Sequence, residues 1–287
     1  MTAPRITCLV DAKDQIGEGA VWDDELDVLW WTDINGRRLH RLDPASGRET
    51  VFPFDMRIGC FALRRNGGLI LSAEHGFWFW DPATGKLDHL FDVEADRADN
   101  RMNDGGCDRQ GRLLASSMSL LSPRRPTGAC WRLDGDLRVE RVADGLHCGN
   151  GIAFSPEGDR FYLADTDVLR VWSHDYDPAT GAIGARQPFV DTTGLAGKPD
   201  GATVDAEGGY WLAGVRGGQI YRFAPDGRLD RSIDFPVGLP TRPMFGGPAL
   251  DRLYVTSIRV EGERLSGGLF VIEDLGAVGL PEPRFAG

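Results

Sequence analysis

Four short motifs in this chain set oxygen-bearing side chains beside glycine: Glu18-Gly19-Ala20, Asn103-Asp104-Gly105, Asn150-Gly151-Ile152 and Asp200-Gly201-Ala202. Carboxylates and carboxamides are hard donors. Gathered at one point they suit calcium, magnesium or manganese, and ligand type alone leaves zinc and iron open. Asp-Gly and Asn-Gly are also ordinary turn signals. Others occur at Asn35-Gly36, Asn66-Gly67, Asp134-Gly135, Asp144-Gly145 and Asp226-Gly227. A turn therefore accounts for any one motif taken alone. Asp200 is the instructive case. It stands before a run that reads as a strand, Ala202-Thr203-Val204, while a separate turn, Ala206-Glu207-Gly208, follows that run. Turn chemistry is already supplied nearby, so the carboxylate at the head of the strand asks for another reason.

The elements that would position these residues repeat. Six segments of one plan begin at Gly17, Ile58, Asn103, Gly149, Pro199 and Phe245. Their spacing of about 40 to 50 residues is that of four-stranded propeller blades. Each has a short apolar strand, a polar turn such as Pro156-Glu157-Gly158-Asp159, and a second strand rich in Trp, Tyr, Leu and Val. A third strand follows, such as Leu39-His40-Arg41-Leu42, then a turn of the type Asp81-Pro-Ala-Thr-Gly85 and a short polar fourth strand. The pattern predicts an all-β fold, a six-bladed β-propeller with a central channel, with residues 1–287 as one domain. Ile6–Val10 has no blade of its own and is expected to give an outer strand to the last blade, closing the ring and removing a free edge. Residues just before the six first strands then meet at one mouth. In this register blades two and six begin with Gly59-Cys60 and Phe245-Gly246 and bring no acid, so four of the six blades offer oxygen ligands.

Composition narrows the function classes. With 32 Lys and Arg against 43 Asp and Glu, the chain carries a net charge of −11. That disfavours nucleic acid and anionic membranes as partners. The five cysteines, Cys8, Cys60, Cys107, Cys130 and Cys148, are odd in number and form no CxxC pair. They suit reduced thiols in a cytoplasm better than a disulfide framework. No apolar run approaches the roughly 20 residues of a membrane span, and the start MTAPRITCLV lacks the apolar stretch of a signal peptide. A monomer or weak homo-oligomer in the cytoplasm is expected.

Read in order, Ile16–Trp22, Asn100–Gly105, Gly149-Asn150-Gly151, Tyr162–Thr166, Lys198–Gly201, Phe245-Gly246-Gly247 and Gly267–Phe270 span essentially the whole chain. Together they resemble the senescence marker protein, gluconolactonase and luciferin-regenerating enzyme family, the regucalcin-like sugar lactonases. The resemblance implies a six-bladed propeller with one catalytic divalent metal. It makes Glu18, Asn150 and Asp200 the metal ligands, with Arg101 and Asn103 as substrate contacts and Asn103 near the metal. The activity implied is hydrolysis of a sugar (aldono-) lactone to its aldonic acid in carbohydrate catabolism, with Asp200 moving the proton of the attacking water. There is one departure. The segment Ser117–Pro123 has no carboxylate, where the animal lactonases of the family carry a substrate-binding Glu.

Other polar residues have plainer readings beside sharper ones. His147 reads as a loop residue that could touch substrate, and His75 as a turn residue or a channel residue. Asp165 reads as support for the metal region. Cys148 has no partner base to make it a nucleophile, and no GxSxG occurs. Arg124 and Arg125, in the loop Ser117–Thr127, read as solvated, with contact to an acidic sugar as the alternative. Hydrolysis of another lactone or ester on the same centre, and a non-catalytic calcium-binding or regulatory propeller, are the competing functions.

Overall fold

Among the described residues every regular element is a strand, and 24 of them assemble into six four-stranded antiparallel sheets. The structure is a computed structural model and describes residues 4–287. In chain order the first, innermost strands of the six blades are Gly17–Asp23, Ile58–Leu63, Asn100–Cys107, Gly149–Phe154, Lys198–Val204 and Pro240–Gly246. Each touches the inner strands on either side, and the last touches the first, so the sheets form a ring around a channel. The expected six-bladed propeller is what the chain adopts. Burial follows position in the blade. Gly17–Asp23 is buried along its whole length, while the outermost strand of the same blade, Arg48–Pro53, is almost wholly exposed.

The repeated Asp-Pro-Ala-Thr-Gly turn works through its first side chain. Asp81 accepts hydrogen bonds from the Ala83 N–H at 2.9 Å and the Thr84 hydroxyl at 2.7 Å. Asp177 does the same with Ala179 and Thr180. Blades are held together by apolar contact. Trp211, Phe245, Leu253 and Phe270 pack between blades five and six, and Val21, Trp30, Phe61 and Trp80 between one and two.

Ring closure is the expected one. Arg5–Val10 pairs antiparallel with Leu269–Glu273 as the outer strand of blade six, whose second strand is Arg252–Ser257. At the seam Trp22 stacks on Tyr254 with ring centroids 5.6 Å apart. The Thr241 hydroxyl donates to the Gly17 carbonyl at 2.5 Å. Beyond the last strand the chain returns beneath the ring, where Leu280, Glu282 and Pro283 line the far end of the channel with Arg109 and Arg242. The space left there is only about 30 Å³.

Each inner strand breaks register with its neighbour near the mouth. In blade one pairing jumps from Glu18↔Thr32 to Val21↔Trp30, and in blade five from Pro199↔Gly214 to Ala202↔Leu212. Such a bulge swings the local side chains out of the alternating pattern of a strand. Gly19 and Gly151 sit in two of these bulges with φ of 59° and 61°, the left-handed region that a side chain opposes.

The start of blade six differs from the sequence expectation. Phe245 and Gly246 pair with Leu253 and Arg252, at the far end of the strand. The bulge falls between Pro240 and Pro243, so Thr241-Arg242 takes the position equivalent to the other motifs. Phe245-Gly246, read in the sequence as the strand entry, leads instead into the turn before Arg252. Blade six still brings no acid, but it brings a cation.

Candidate active site

Glu18, Asn103, Asn150 and Asp200 all lie at inner-strand bulges and line one cavity of about 440 Å³ together with Arg101. All five of the residues singled out in the sequence are therefore brought together. They are buried, with residue exposures of 9% for Glu18, 7% for Asn103, 2% for Asn150, 7% for Asp200 and 6% for Arg101.

The amides are tightly held. Thr166 donates its one hydroxyl hydrogen to the Pro199 carbonyl at 2.8 Å, so toward Asn150 it can only accept. Asn150 therefore turns its NH₂ to Thr166, at 2.7 Å, and its carbonyl oxygen away. That oxygen accepts from the Asn103 amide at 3.1 Å. Asn103 also donates to the Gly149 carbonyl at 2.9 Å and accepts from Arg101 Nη1 at 2.8 Å. Arg101 donates in addition to the Met102 carbonyl at 2.8 Å, and no carboxylate pairs with it among the described residues. Thr166 was not picked out in the sequence, although its contact with Pro199 ties Asn150 to the strand carrying Asp200.

The carboxylates are not satisfied in the same way. Among the described residues Glu18 accepts only from the Gly19 N–H, at 3.0 Å. The Asp200 carboxylate has no hydrogen-bond donor among the described residues. Burial pushes Glu18 up to about 8, with the Asp104 charge adding to it. Burial holds Asp200 well above the usual carboxylate range, and Glu18 and Asp104 reinforce it. Asp104 itself points elsewhere. It pairs with Arg242 and accepts from the Ile152 N–H at 3.0 Å. Of the two candidates in the blade-three motif, Asn103 thus faces the cavity and Asp104 takes the cation from blade six.

Around this centre Asp165 accepts from the His147 backbone N–H at 2.8 Å and its ring at 3.2 Å, and from the Cys148 N–H at 3.3 Å. It braces the turn leading into Asn150. His147 lines the wider mouth above the cavity. His75 lies instead in a turn of blade two, where its carbonyl accepts from the Val93 and Glu94 N–H groups. Burial pushes the Cys148 thiol up to about 12, which rules against a thiolate nucleophile. Arg124, in the loop, is part-exposed. It lines the cavity and pairs with Asp167 at 3.0 Å.

Among the described residues no three His, Cys, Asp or Glu side chains gather as a metal-binding group. The set at the bulges is of another kind, two carboxylates and a carboxamide oxygen. Its chemistry fits a hard divalent cation, because two buried acids with one backbone donor between them, the Gly19 N–H on Glu18, are stabilised as anions by a positive charge placed against them.

Residues 16–259 match the family model described as the SMP-30/Gluconolactonase/LRE-like region. The chain belongs to that family. Among its relatives a 6-deoxy-6-sulfogluconolactonase of Pseudomonas putida is 36% identical over 292 residues, covering 98% of this chain and 99% of the relative. An L-arabinolactonase of Azospirillum brasilense is 34% identical, covering 99% of this chain and 97% of the relative. The solved structure of a calcium-binding protein, regucalcin, from Agrobacterium tumefaciens superposes with a TM-score of 0.92 at 29% identity, over 99% of this chain and 97% of that one. The resemblance read from the sequence is thus the family to which the chain belongs, and its sugar-lactonase relatives support lactone hydrolysis as the activity. No helix of the structure is long and apolar enough to cross a membrane.

Proposed function

We propose that this protein is a divalent-metal-dependent hydrolase of sugar lactones, opening an aldonolactone to its aldonic acid. The observation that carries the reading is the convergence of Glu18, Asn103, Asn150 and Asp200 on one cavity beside the unpaired Arg101. The lactone-hydrolysing relatives supply the bond that is broken.

Glu18, Asp200 and the Asn150 carbonyl oxygen would hold the cation. When bound, it would supply Lewis-acid polarisation of the lactone carbonyl and make water a better acid. Asp200 lacks donors of its own, which leaves a carboxylate oxygen free to take the proton from the attacking water. The water oxygen bonds to the carbonyl carbon, the ring carbon–oxygen bond breaks, and Asp200 returns its proton to the departing ring oxygen. Arg101 and Asn103, each fixed by hydrogen bonds to backbone carbonyls, orient the sugar hydroxyls. Calcium, magnesium, manganese, zinc and iron all remain compatible with this donor set.

The test is hydrolysis of a panel of pentono- and hexono-lactones by the purified protein, followed with a pH indicator. Chelator, added metals, Asp200→Ala and Glu18→Ala are the arms. Activity restored by a metal and lost in both variants is the expected result. No rate above spontaneous hydrolysis, with a Tm still raised by calcium, would favour the non-catalytic reading suggested by the calcium-binding structural relative.

A further inference from the structure

Above the cavity that holds Glu18 and Asp200 lies a wider vestibule of about 750 Å³. The two spaces share Arg101, Arg124, Lys198 and Arg216 as walls, so a ligand in one reaches into the other. The charge of the vestibule is opposite to that of the chain. Arg57 joins the other four cations there, and Asp167 is the one carboxylate in its lining. The surrounding surface belongs to a protein of net charge −11.

Local pairing does not cancel these cations. Asp167 is divided between Arg124 at 3.0 Å and Lys198 at 2.7 Å. Arg57 is paired with Glu74 at 2.9 Å. Arg101 and Arg216 form no ion pair among the described residues; Arg101 is only 6% exposed, and Arg216 is exposed at the vestibule wall. A guanidinium buried without a counter-ion costs free energy unless something anionic arrives.

The cations also come from separate parts of the ring. Arg101 is on the inner strand of blade three, Arg124 in the loop after that blade's second strand, and Lys198 heads blade five. Arg216 stands in the turn after Tyr210–Val215 with φ of 68°. The Ser117–Pro123 segment lines the vestibule from Met118 to Pro123 and brings no acid that would oppose the field.

We propose that the preferred lactone carries a second, anionic group, a sulfonate, phosphate or carboxylate on the carbon chain remote from the lactone carbonyl. Arg216 and the Arg124–Lys198 pair hold that group while the carbonyl enters the inner cavity. Guanidinium bonds to an oxyanion are among the stronger hydrogen bonds, so the loss of one is read as about a tenfold fall in preference. The inference rests on the lactonase reading for its substrate class.

Initial rates would be compared for glucono-1,5-lactone, its 6-phosphate, its 6-deoxy-6-sulfonate and glucaro-1,4-lactone. Wild type, Arg216→Ala and Arg124→Ala are used with metal present, and circular dichroism checks each fold. In parallel, calorimetry measures binding of gluconate and 6-phosphogluconate, which needs no turnover. Wild type should show higher kcat/KM for at least one anionic lactone. The ratio of anionic to neutral kcat/KM should fall about tenfold in each variant, and rising salt should raise KM for the anionic lactone. The three anionic substrates separate the three groups. Equal or better hydrolysis of the neutral lactone, with the ratio unmoved by either variant, overturns the anion site and leaves the lactonase reading standing. No hydrolysis of any lactone, with 6-phosphogluconate bound more tightly than gluconate and released by Arg216→Ala, removes the lactonase reading and keeps the anion site. No hydrolysis and no preference between the two acids overturns both.

Discussion

With chelator present, the stability of this protein should fall as pH rises, against the usual trend for a chain rich in paired carboxylates. Burial, and then the neighbouring Asp104, push Glu18 up to about 8 from an ordinary 4.5. Asp200 is raised in the same sense by burial and by Glu18. In the unfolded chain both ionise near their ordinary values. Between pH 4.5 and 8 unfolding of the metal-free protein therefore releases a proton that the folded state retains. A raised carboxylate costs stability across that window, about 1.4 kcal/mol for each pH unit and each group. Since the two acids are coupled, counting one group is the conservative choice. From about pH 5 to about pH 7.5 that one group removes about 3 kcal/mol, or roughly 6–12 °C of Tm for a chain of this size.

Scanning calorimetry in chelator would follow wild type, Glu18→Gln and a double variant across this range, and then wild type with excess divalent cation. Wild type should lose Tm with rising pH. Glu18→Gln keeps the burial-raised Asp200 and should lose somewhat less, while the double variant Glu18→Gln/Asp200→Asn, neutral at both sites, should lose much less and exceed wild type at the upper end. A cation at about a hundred times its Kd adds about 2.7 kcal/mol and should flatten the wild-type curve, because it favours the ionised pair. A metal-free wild type that runs parallel to the double variant would refute the reasoning. It would mean that both carboxylates ionise normally and that the cavity is as well solvated as open surface.

Three further outcomes follow from single contacts. Thr166→Val leaves the Asn150 NH₂ without its acceptor and frees the amide to turn; metal affinity by calorimetric titration should fall about 10–100-fold, and Thr166→Ser should restore it. Arg242→Met strands Asp104 as a buried, unpaired charge, so urea unfolding should show a loss of about 3–5 kcal/mol. Combining Arg242→Met with Asp104→Asn should recover most of that loss, and a single variant within 1 kcal/mol of wild type would show that water already solvates the pair. Deleting residues 1–10 uncovers the edge of Leu269–Glu273; light scattering should then report concentration-dependent association, as expected of a bare strand edge.

The parts of this fold that were legible in the sequence are those with local causes. The Asp81 and Asp177 turns announce themselves because the acid, the Thr and the Gly that close each turn lie within five residues. The blade spacing follows from the turns. Glu18, Asn103, Asn150 and Asp200 could be placed at one mouth because equal register in a ring implies proximity. What could not be read depends on contacts between distant segments. Arg124 bonds Asp167, 43 residues away, and Lys198 joins them from a third element. Nothing near Arg124 in the sequence signals either partner. Blade six was misregistered because Phe245-Gly246, read as the strand entry, sits at the wrong end of its first strand, while its bulge at Thr241-Arg242 has no glycine to mark it. A signal was present: Arg242 is a lone charge in the run Pro240-Thr241-Arg242-Pro243-Met244-Phe245. A charge inside a strand buried along its whole length needs a counter-ion on another strand.

That counter-ion decides which acid is left for chemistry. The sequence presents Asp104 and Asp200 as equivalents, each beside a glycine at the head of an inner strand. In the ring they are not equivalent. Asp104 receives the Arg242 guanidinium and the Ile152 N–H, and its charge is absorbed by the fold. Asp200 receives neither, and it shares the cavity with Glu18, which has only its neighbour's N–H. A core arranged for stability alone would not leave two such groups unsatisfied. Local rules broken without compensation are expected where a ligand supplies what the chain withholds. Here the missing component is a cation in direct contact with both carboxylates, which none of the Arg and Lys side chains lining the cavity supplies, and the carboxamide oxygen of Asn150, turned toward the cavity by Thr166, would complete an oxygen shell for it. Arg242 and Thr166 contact no substrate in this scheme. Arg242 occupies the acid not required, and Thr166 orients the amide that is.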